Sequence, residues 1–150
     1  MTASAVNKLD AALSDISDMI ARRTVGSALT EIQIQMILRG MFDLSKTPSW
    51  LKSSDGRMIY LNPAYTKEFG KTMADYGGER DFHEWGEPIA AAFCINDSQV
   101  IRTREETIFH ELAPVDGIEI MHEVRKRPFI IAGEIIGVIG ERLRRLDVKG

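Results

Sequence analysis

The chain holds one cysteine, Cys94, in 150 residues. No internal disulfide and no four-cysteine zinc site can form, and this usage fits a reducing compartment. Aromatic residues make up only 7%. No long uncharged apolar run is present, so no segment reads as a membrane-spanning helix. The amino-terminus lacks the basic-then-apolar order of a secretory signal, and the chain is expected to be soluble and cytoplasmic. Charge of either sign is not in large excess: the formal net charge of −3 argues against direct, broad electrostatic binding of nucleic acid within these residues. A Gly-rich phosphate loop, a nucleophile elbow and a zinc-protease helix are all missing. Asp43, Glu68, Glu79, Glu84 and Glu87 form no recognisable catalytic pair, so the chain is not expected to be an enzyme. No internal repeat or low-complexity stretch occurs.

Ordinary globular composition is what remains, with 44% apolar residues, seven Met and six Phe. Such residues fill an irregular cavity as readily as a packed core. The length suits one domain with a modest extension. In the first section Val6, Leu9, Leu13, Ile16 and Ile20 recur at alternating spacings of three and four, the seam of a two-stranded coiled coil. The same stripe would serve a helix packed on its own domain. Gly26 interrupts the pattern. One reading is a continuous dimeric coiled coil through residue 44 with a weak middle. The other, preferred because Gly costs about 1 kcal/mol in a helix interior, is two helices broken near Gly26. Thr30 caps the second helix, with Gln33 three residues on completing a capping box. Apolar residues return at Ile34, Ile37, Met41 and Leu44.

From Ser49 the pattern turns to strands. Two short apolar runs, 49–53 and 57–62, flank Asp55-Gly56, a pair suited to a tight turn. Asn62-Pro63 stops the second run and opens a helix over 63–69, which Gly70 ends. Residues 71–88 are turn-rich, and 88–102 read as a longer helix. Three further strand-like runs follow at 106–113, 118–127 and 134–142, with Asp116-Gly117 between the first two. Strands and helices segregated in this way predict an α+β architecture, with helices on one side of an antiparallel sheet.

Strand, turn, strand and then a helix opened by Asn-Pro resembles the start of a PAS domain. Asn96-Asp97-Ser98-Gln99-Val100 is similar to a PAS helix segment in which an Asp is followed by Val. Glu105–Glu111 is similar to the extended segment after it, Lys126-Arg127-Pro128 to a Lys-x-Pro element in the penultimate strand, and Gly133–Gly140 to the Gly-bounded last strand. The resemblance covers residues 44 to about 143. It implies a PAS fold, a five-stranded antiparallel sheet with helices on one face, preceded by α-helices. Its division would be an N-terminal helical dimerisation or signalling segment (1–43), a PAS domain (44–143) and a tail or linker to a missing output element (144–150). Where many PAS domains end in Asp-Ile-Thr, this chain reads Arg144-Arg145-Leu146, which points output toward the N-terminal helices or a part outside this chain.

As function, the resemblance implies a sensor. It would bind a small organic molecule and transmit a conformational signal through a homodimer formed by the N-terminal helices, within a transcription regulator or other signalling protein. The alternative is a ligand-free PAS-type dimerisation or protein-interaction module. Candidate ligand-binding residues are Trp50, Tyr60, Phe93, His110 and His122. Strand parity groups Ile118, Ile120, His122 and Val124 on one face, and Ile108, His110 and Leu112 on one face of the preceding strand. The two histidines would then lie near each other, one residue off direct pairing. Phe109 and Met121 fall opposite that inward set. No third ligand joins the histidines, so no metal is expected. Haem and flavin are disfavoured: His83 stands alone beside Asp81 and Glu84, and Cys94 lies in Phe-Cys-Ile-Asn rather than the Asn-Cys-Arg-Phe of flavin-binding light sensors. The ligand itself stays unknown.

Overall fold

The computed structural model describes residues 3–23 and 30–146, with side chains described over 8–19 and 30–146. The elements in chain order are α1 (Ala3–Arg23), α2 (Glu31–Phe42), β1 (Ser49–Ser53), β2 (Met58–Leu61), α3 (Pro63–Phe69), α4 (Met73–Tyr76), α5 (Asp81–Glu84), α6 (Ile89–Thr103), β3 (Thr107–Val115), β4 (Ile118–Ile131) and β5 (Glu134–Leu146). The strands form one antiparallel sheet in the order β2-β1-β5-β4-β3. The expected break near Gly26 and the tail beyond Leu146 lie outside the described residues.

Local chemistry sets the element boundaries. Thr30 and Gln33 make the capping box of α2 reciprocally, satisfying two backbone donors. The Asn62 side chain accepts from the Tyr65 backbone N–H, Pro63 occupies the first turn of α3, and Gly70 closes that helix with a left-handed residue. Between β3 and β4, Asp116 and Gly117 both take positive φ, as a two-residue primed turn requires. The last strand runs past residue 142 because Arg142–Leu146 keep pairing with Met121–Val124 of β4.

The sheet is covered on both faces, which is more than the sequence led us to expect. Short helices α3–α6 cover one face, packing around Trp50, Met58, Leu61, Tyr65, Phe93 and Val124. On the other, α1 and α2 pack Leu9, Leu13, Ile16, Ile34, Leu38 and Phe42 against Leu51, Ile59, Ile136 and Ile139. This corrects the coiled-coil reading of α1: Leu9, Leu13 and Ile16 are buried within the chain itself. A three-four apolar stripe fits a sheet as well as a partner helix, and β1, β2 and β5 offer it apolar surface. Val6 and Ile20, the ends of that stripe, have side chains outside the described residues.

Gly78 is a point of close approach in this docking. It sits at φ +77°, and a Cβ there would run into the backbone of Lys8 and Leu9. Lys8 Nζ also reaches Glu79 Oε1 at 3.0 Å. Gly78→Ala is therefore expected to loosen α1 while leaving the sheet intact, since strain at positive φ adds to a backbone clash. Faster hydrogen exchange confined to α1 and its sheet face would show it; unchanged exchange in α1 would refute it.

Candidate functional site

Between the inner sheet face and α3–α6 lies a cavity walled by rings. Trp50 from β1, Tyr65 and Phe69 from α3, Trp85 just after α5 and Phe93 from α6 line it, together with Ala113 and Val124. The rings meet mostly edge to face: Trp50–Tyr65 at 5.5 Å, Phe69–Trp85 at 5.6 Å and Trp85–Phe93 at 5.6 Å between centroids. These arrangements suit the aromatic quadrupole. Enclosed free space is about 20 Å³, enough for one water molecule. Outside the Phe69–Trp85 wall lies an open groove of about 440 Å³, bordered by Lys67, Lys71, Ile89 and the β3–β4 turn.

The floor of the cavity is ionic. Lys52 Nζ lies 2.7 Å from Asp81 Oδ2 and 3.0 Å from Asp97 Oδ2. Lys126 Nζ lies 2.8 Å from Asp97 Oδ1 and 2.6 Å from Glu111 Oε2. All five residues are buried, and Lys126 has no exposure at all. Asn96 donates to Glu111, and Tyr76 donates its hydroxyl to Asp81. Both ammonium groups also sit over the Phe93 ring, at 5.4 and 5.5 Å from its centroid, the distance at which a cation gains from the ring face. Burial disfavours the Lys52 ammonium, but Asp97 and Asp81 outweigh it and raise its pKa. Burial likewise pushes the Asp97 carboxyl up, yet Lys52 and Lys126 together overcome this and hold it at about 2.

A second polar group closes the sheet side. His122 Nε2 is 3.0 Å from the Ala113 carbonyl oxygen, so that nitrogen carries the proton and Nδ1 is left as an acceptor facing Arg142 Nη1 at 3.3 Å. Arg142 in turn forms a bidentate pair with Glu68 of α3, which Arg145 also joins at 3.1 Å. Burial, and after it the Arg142 charge, lower the His122 pKa below the ordinary histidine value.

Of the residues nominated from sequence, Trp50, Phe93 and His122 line this cavity. Tyr60 faces the other side of the sheet, with its ring beside Phe42 and its hydroxyl on Asp43. His110 points outward, its side chain 59% exposed beside Glu123. The register explains why: His110 pairs with Glu123 and Glu111 with His122, so an offset of one residue puts the two histidines on opposite faces. Glu111, Ala113 and Val115 are the inward positions of β3, and Ile108 is exposed. On β4, His122, Val124 and Lys126 face inward, whereas Ile118, expected on the same inward face, is exposed at the start of the strand. None of the ionic residues is nominated from the sequence: Asp97, Glu111 and Lys126 stand there only within motifs, Asp81 only as a neighbour of His83, and Lys52 and Arg142 are not singled out as site residues. The sequence signal was a charge at inward-parity positions of strands otherwise apolar on that face. His83 is half exposed between Glu79 and Glu84, and burial pushes the Cys94 thiol up, away from the reactive thiolate. Among the described residues, no group of three or more His, Cys, Asp or Glu could hold a metal ion, and no helix is long and apolar enough to cross a membrane.

A sheet of this order with short helices over a ring-lined cavity defines an α+β domain of one recognisable class. The family model for the PAS fold matches residues 42–141, and the chain belongs to the PAS family. Among solved structures it is similar to Vibrio cholerae VqmA, solved as a dimer without its target DNA, at 28% identity over 76% of this chain and 51% of that one, with a TM-score of 0.61. It is also similar to VqmA bound to DPO, at 27% identity over 77% of this chain and 59% of that one, TM-score 0.60. The PAS domain of Bordetella pertussis BvgS shares the fold, at 23% identity over 73% of this chain and 83% of that one, TM-score 0.53. The chain thus spans about half the length of the VqmA chains it matches. No curated protein matches it.

Proposed function

We propose that this chain is a sensory domain that binds a small organic molecule between sheet and helices and passes a conformational signal through a homodimer. It would act as the regulatory part of a transcription regulator or other signalling protein, with no catalytic step. The single observation that carries this is the ionic floor of the aromatic cavity. Five buried charged groups are poor packing material, because apolar residues of equal volume stabilise a core as well or better. Polar groups placed among rings are, however, how ligand sites orient their occupants. Similarity to VqmA bound to DPO supports the same reading.

Native mass spectrometry of the purified protein, followed by a thermal-shift screen of metabolites, is the test. A retained small molecule or a panel member that raises Tm supports sensing, since a ligand of the folded state stabilises by mass action. The rival reading is a ligand-free dimerisation module, favoured by the small enclosed volume. A clean apo mass with no responsive metabolite would establish it.

In this proposal residues 1–43 dimerise and signal, 44–143 sense, and 144–150 begin a linker. With the α1 stripe used inside the chain, the dimer surface falls to the outward side of α2. There Ile32 is 73% exposed and Met36 65%, with Ile37 and Met41 about half exposed beside them. Gly40 lies among them with open space above it. The strip is short of charge, as a self-associating surface is. The comparison with a VqmA dimer agrees. Ile32→Glu with Met36→Glu is expected to convert the dimer to monomer in light scattering, with the fold retained by circular dichroism and a Tm that no longer depends on protein concentration. A dimer that survives this pair of changes would place the interface elsewhere.

A further inference from the structure

We propose that the cavity is built for an uncharged aromatic molecule carrying a hydrogen-bond acceptor, such as a carbonyl, which takes the Trp85 indole N–H as its donor. This deepens the sensing reading above and rests on it. The inference comes from counting donors and acceptors around the cavity. Several acceptors are already in use: Glu111 Oε2 takes Lys126 and Asn96, the Asp97 oxygens take Lys52 and Lys126, and His122 Nδ1 faces Arg142. Donors are left over. Trp85 Nε1 and Arg142 Nε, both on cavity-lining residues, are buried without a partner. The Tyr65 and Tyr76 hydroxyls lie beside the indole but make no well-directed bond to it. Two buried orphan donors at one small cavity are unusual in a native protein.

Charge is balanced, in contrast. Lys52, Lys126, Arg142 and Arg145 are four cations, paired with the four carboxylates of Asp81, Asp97, Glu111 and Glu68. A charged guest would be uncompensated in a buried ring-lined space, which is costly. A neutral acceptor satisfies the orphan donors without disturbing the ion pairs, and a flat ring stacks against Trp50, Phe69 and Phe93.

Room for the guest comes from the wall. Trp85 and Phe69 belong both to the inner cavity and to the outer groove, so an outward turn of the Trp85 ring joins the two spaces. No hydrogen bond holds that ring. Lys71 covers its outer side at 4.5 Å, and Gly86 next to it has open space around it.

Four probes of similar shape test this: benzamide, toluene, benzoate and benzylammonium, titrated into the 150-residue protein by 1H–15N NMR. The chain has two tryptophans, so it gives two indole N–H resonances, and Trp85→Phe assigns them by loss of one. Benzamide is expected to bind about fivefold more tightly than toluene, the worth of one hydrogen bond, and to move the Trp85 indole signal downfield. Toluene should bind without that shift, and both ions should bind more weakly than benzamide. In Trp85→Phe the benzamide advantage should vanish while toluene is retained. Toluene and benzamide binding equally, or benzylammonium binding best, would overturn the acceptor inference and leave sensing standing. No binding by any probe would overturn the acceptor inference and leave sensing to the metabolite screen.

Discussion

Lys126→Met is expected to lower the free energy of unfolding by roughly 3–5 kcal/mol, the cost of leaving one side of a buried ion pair uncompensated. The loss is large because Lys126 serves two carboxylates. Asp97 would keep only Lys52, and Glu111 would keep only Asn96. A urea titration with Lys126→Met, Glu111→Gln and the double change makes the cause visible. Removing the ammonium and the Glu111 charge together should recover part of the stability, since a buried pair replaced as a unit costs less than one broken. A double variant as unstable as the sum of the singles would mean that Lys126 acts through packing alone.

The same network sets a pH dependence. Asp97 has its folded pKa, about 2, below the unfolded value of 3.8. It therefore contributes about 2 kcal/mol above pH 4, lost as pH falls through the folded value. His122 adds to acid sensitivity from a higher pH. Its folded pKa is lowered, so the unfolded chain takes up the proton first and stability starts to fall once pH drops below about 6.5. Stability should thus decline in two stages on acidification, and His122→Gln should remove the earlier one. A single decline below pH 4 in the unaltered chain would contradict this.

Asn62→Ala is expected to be nearly as damaging, at roughly 3 kcal/mol, since a buried polar group left unpaired costs about 1–3 kcal/mol. Asn62 is fully buried. Its oxygen accepts from the Ser49 and Tyr65 backbone N–H groups at 3.0 Å each. Its amide donates to the Phe42 and Thr47 carbonyl oxygens at 3.1 and 3.0 Å. One side chain thus ties the end of α2, the start of β1 and the first turn of α3. Asn62→Asp separates the two halves of this role: it keeps both acceptor bonds and puts a carboxylate against two carbonyl oxygens. Chemical denaturation should rank the unaltered chain above both variants. An alanine variant within 0.5 kcal/mol, the range of ordinary surface changes, would show that water replaces the amide at no cost.

What could be read from the residues was the local part. Thr30 with Gln33, Asn62 with Pro63, and Asp116 with Gly117 each carry their own geometry within four residues, and each forms as expected. The α+β order and the antiparallel sheet followed from them. Long-range choices were not legible. The stripe of Leu9, Leu13 and Ile16 is the same whether it meets a partner or the sheet, and only the other face of β1, β2 and β5 decides. The site was half legible for a similar reason. Trp50, Phe93 and His122 follow from ring content and parity, whereas an inward His110 conflicts with the one-residue offset that the Asp116-Gly117 turn already gives, which puts the two histidines on opposite faces. The ionic floor joins β1, α5, α6, β3 and β4, elements up to 74 positions apart between Lys52 and Lys126, and no spacing rule links them.

Trp50 and Leu51 are neighbours in β1, yet one belongs to the ring-lined cavity and the other to the surface on which α1 and α2 rest. The partition between ring-lined cavity and helical cover is accordingly a single thickness of peptide, with side chains alternating through it. A tilt of that strand that gives the tryptophan more space must swing the leucine the opposite way. In the proposed sensing role, a change inside would reach α1 and α2 by direct leverage across one Cα–Cα step, with no relay of intermediates to tune or to lose.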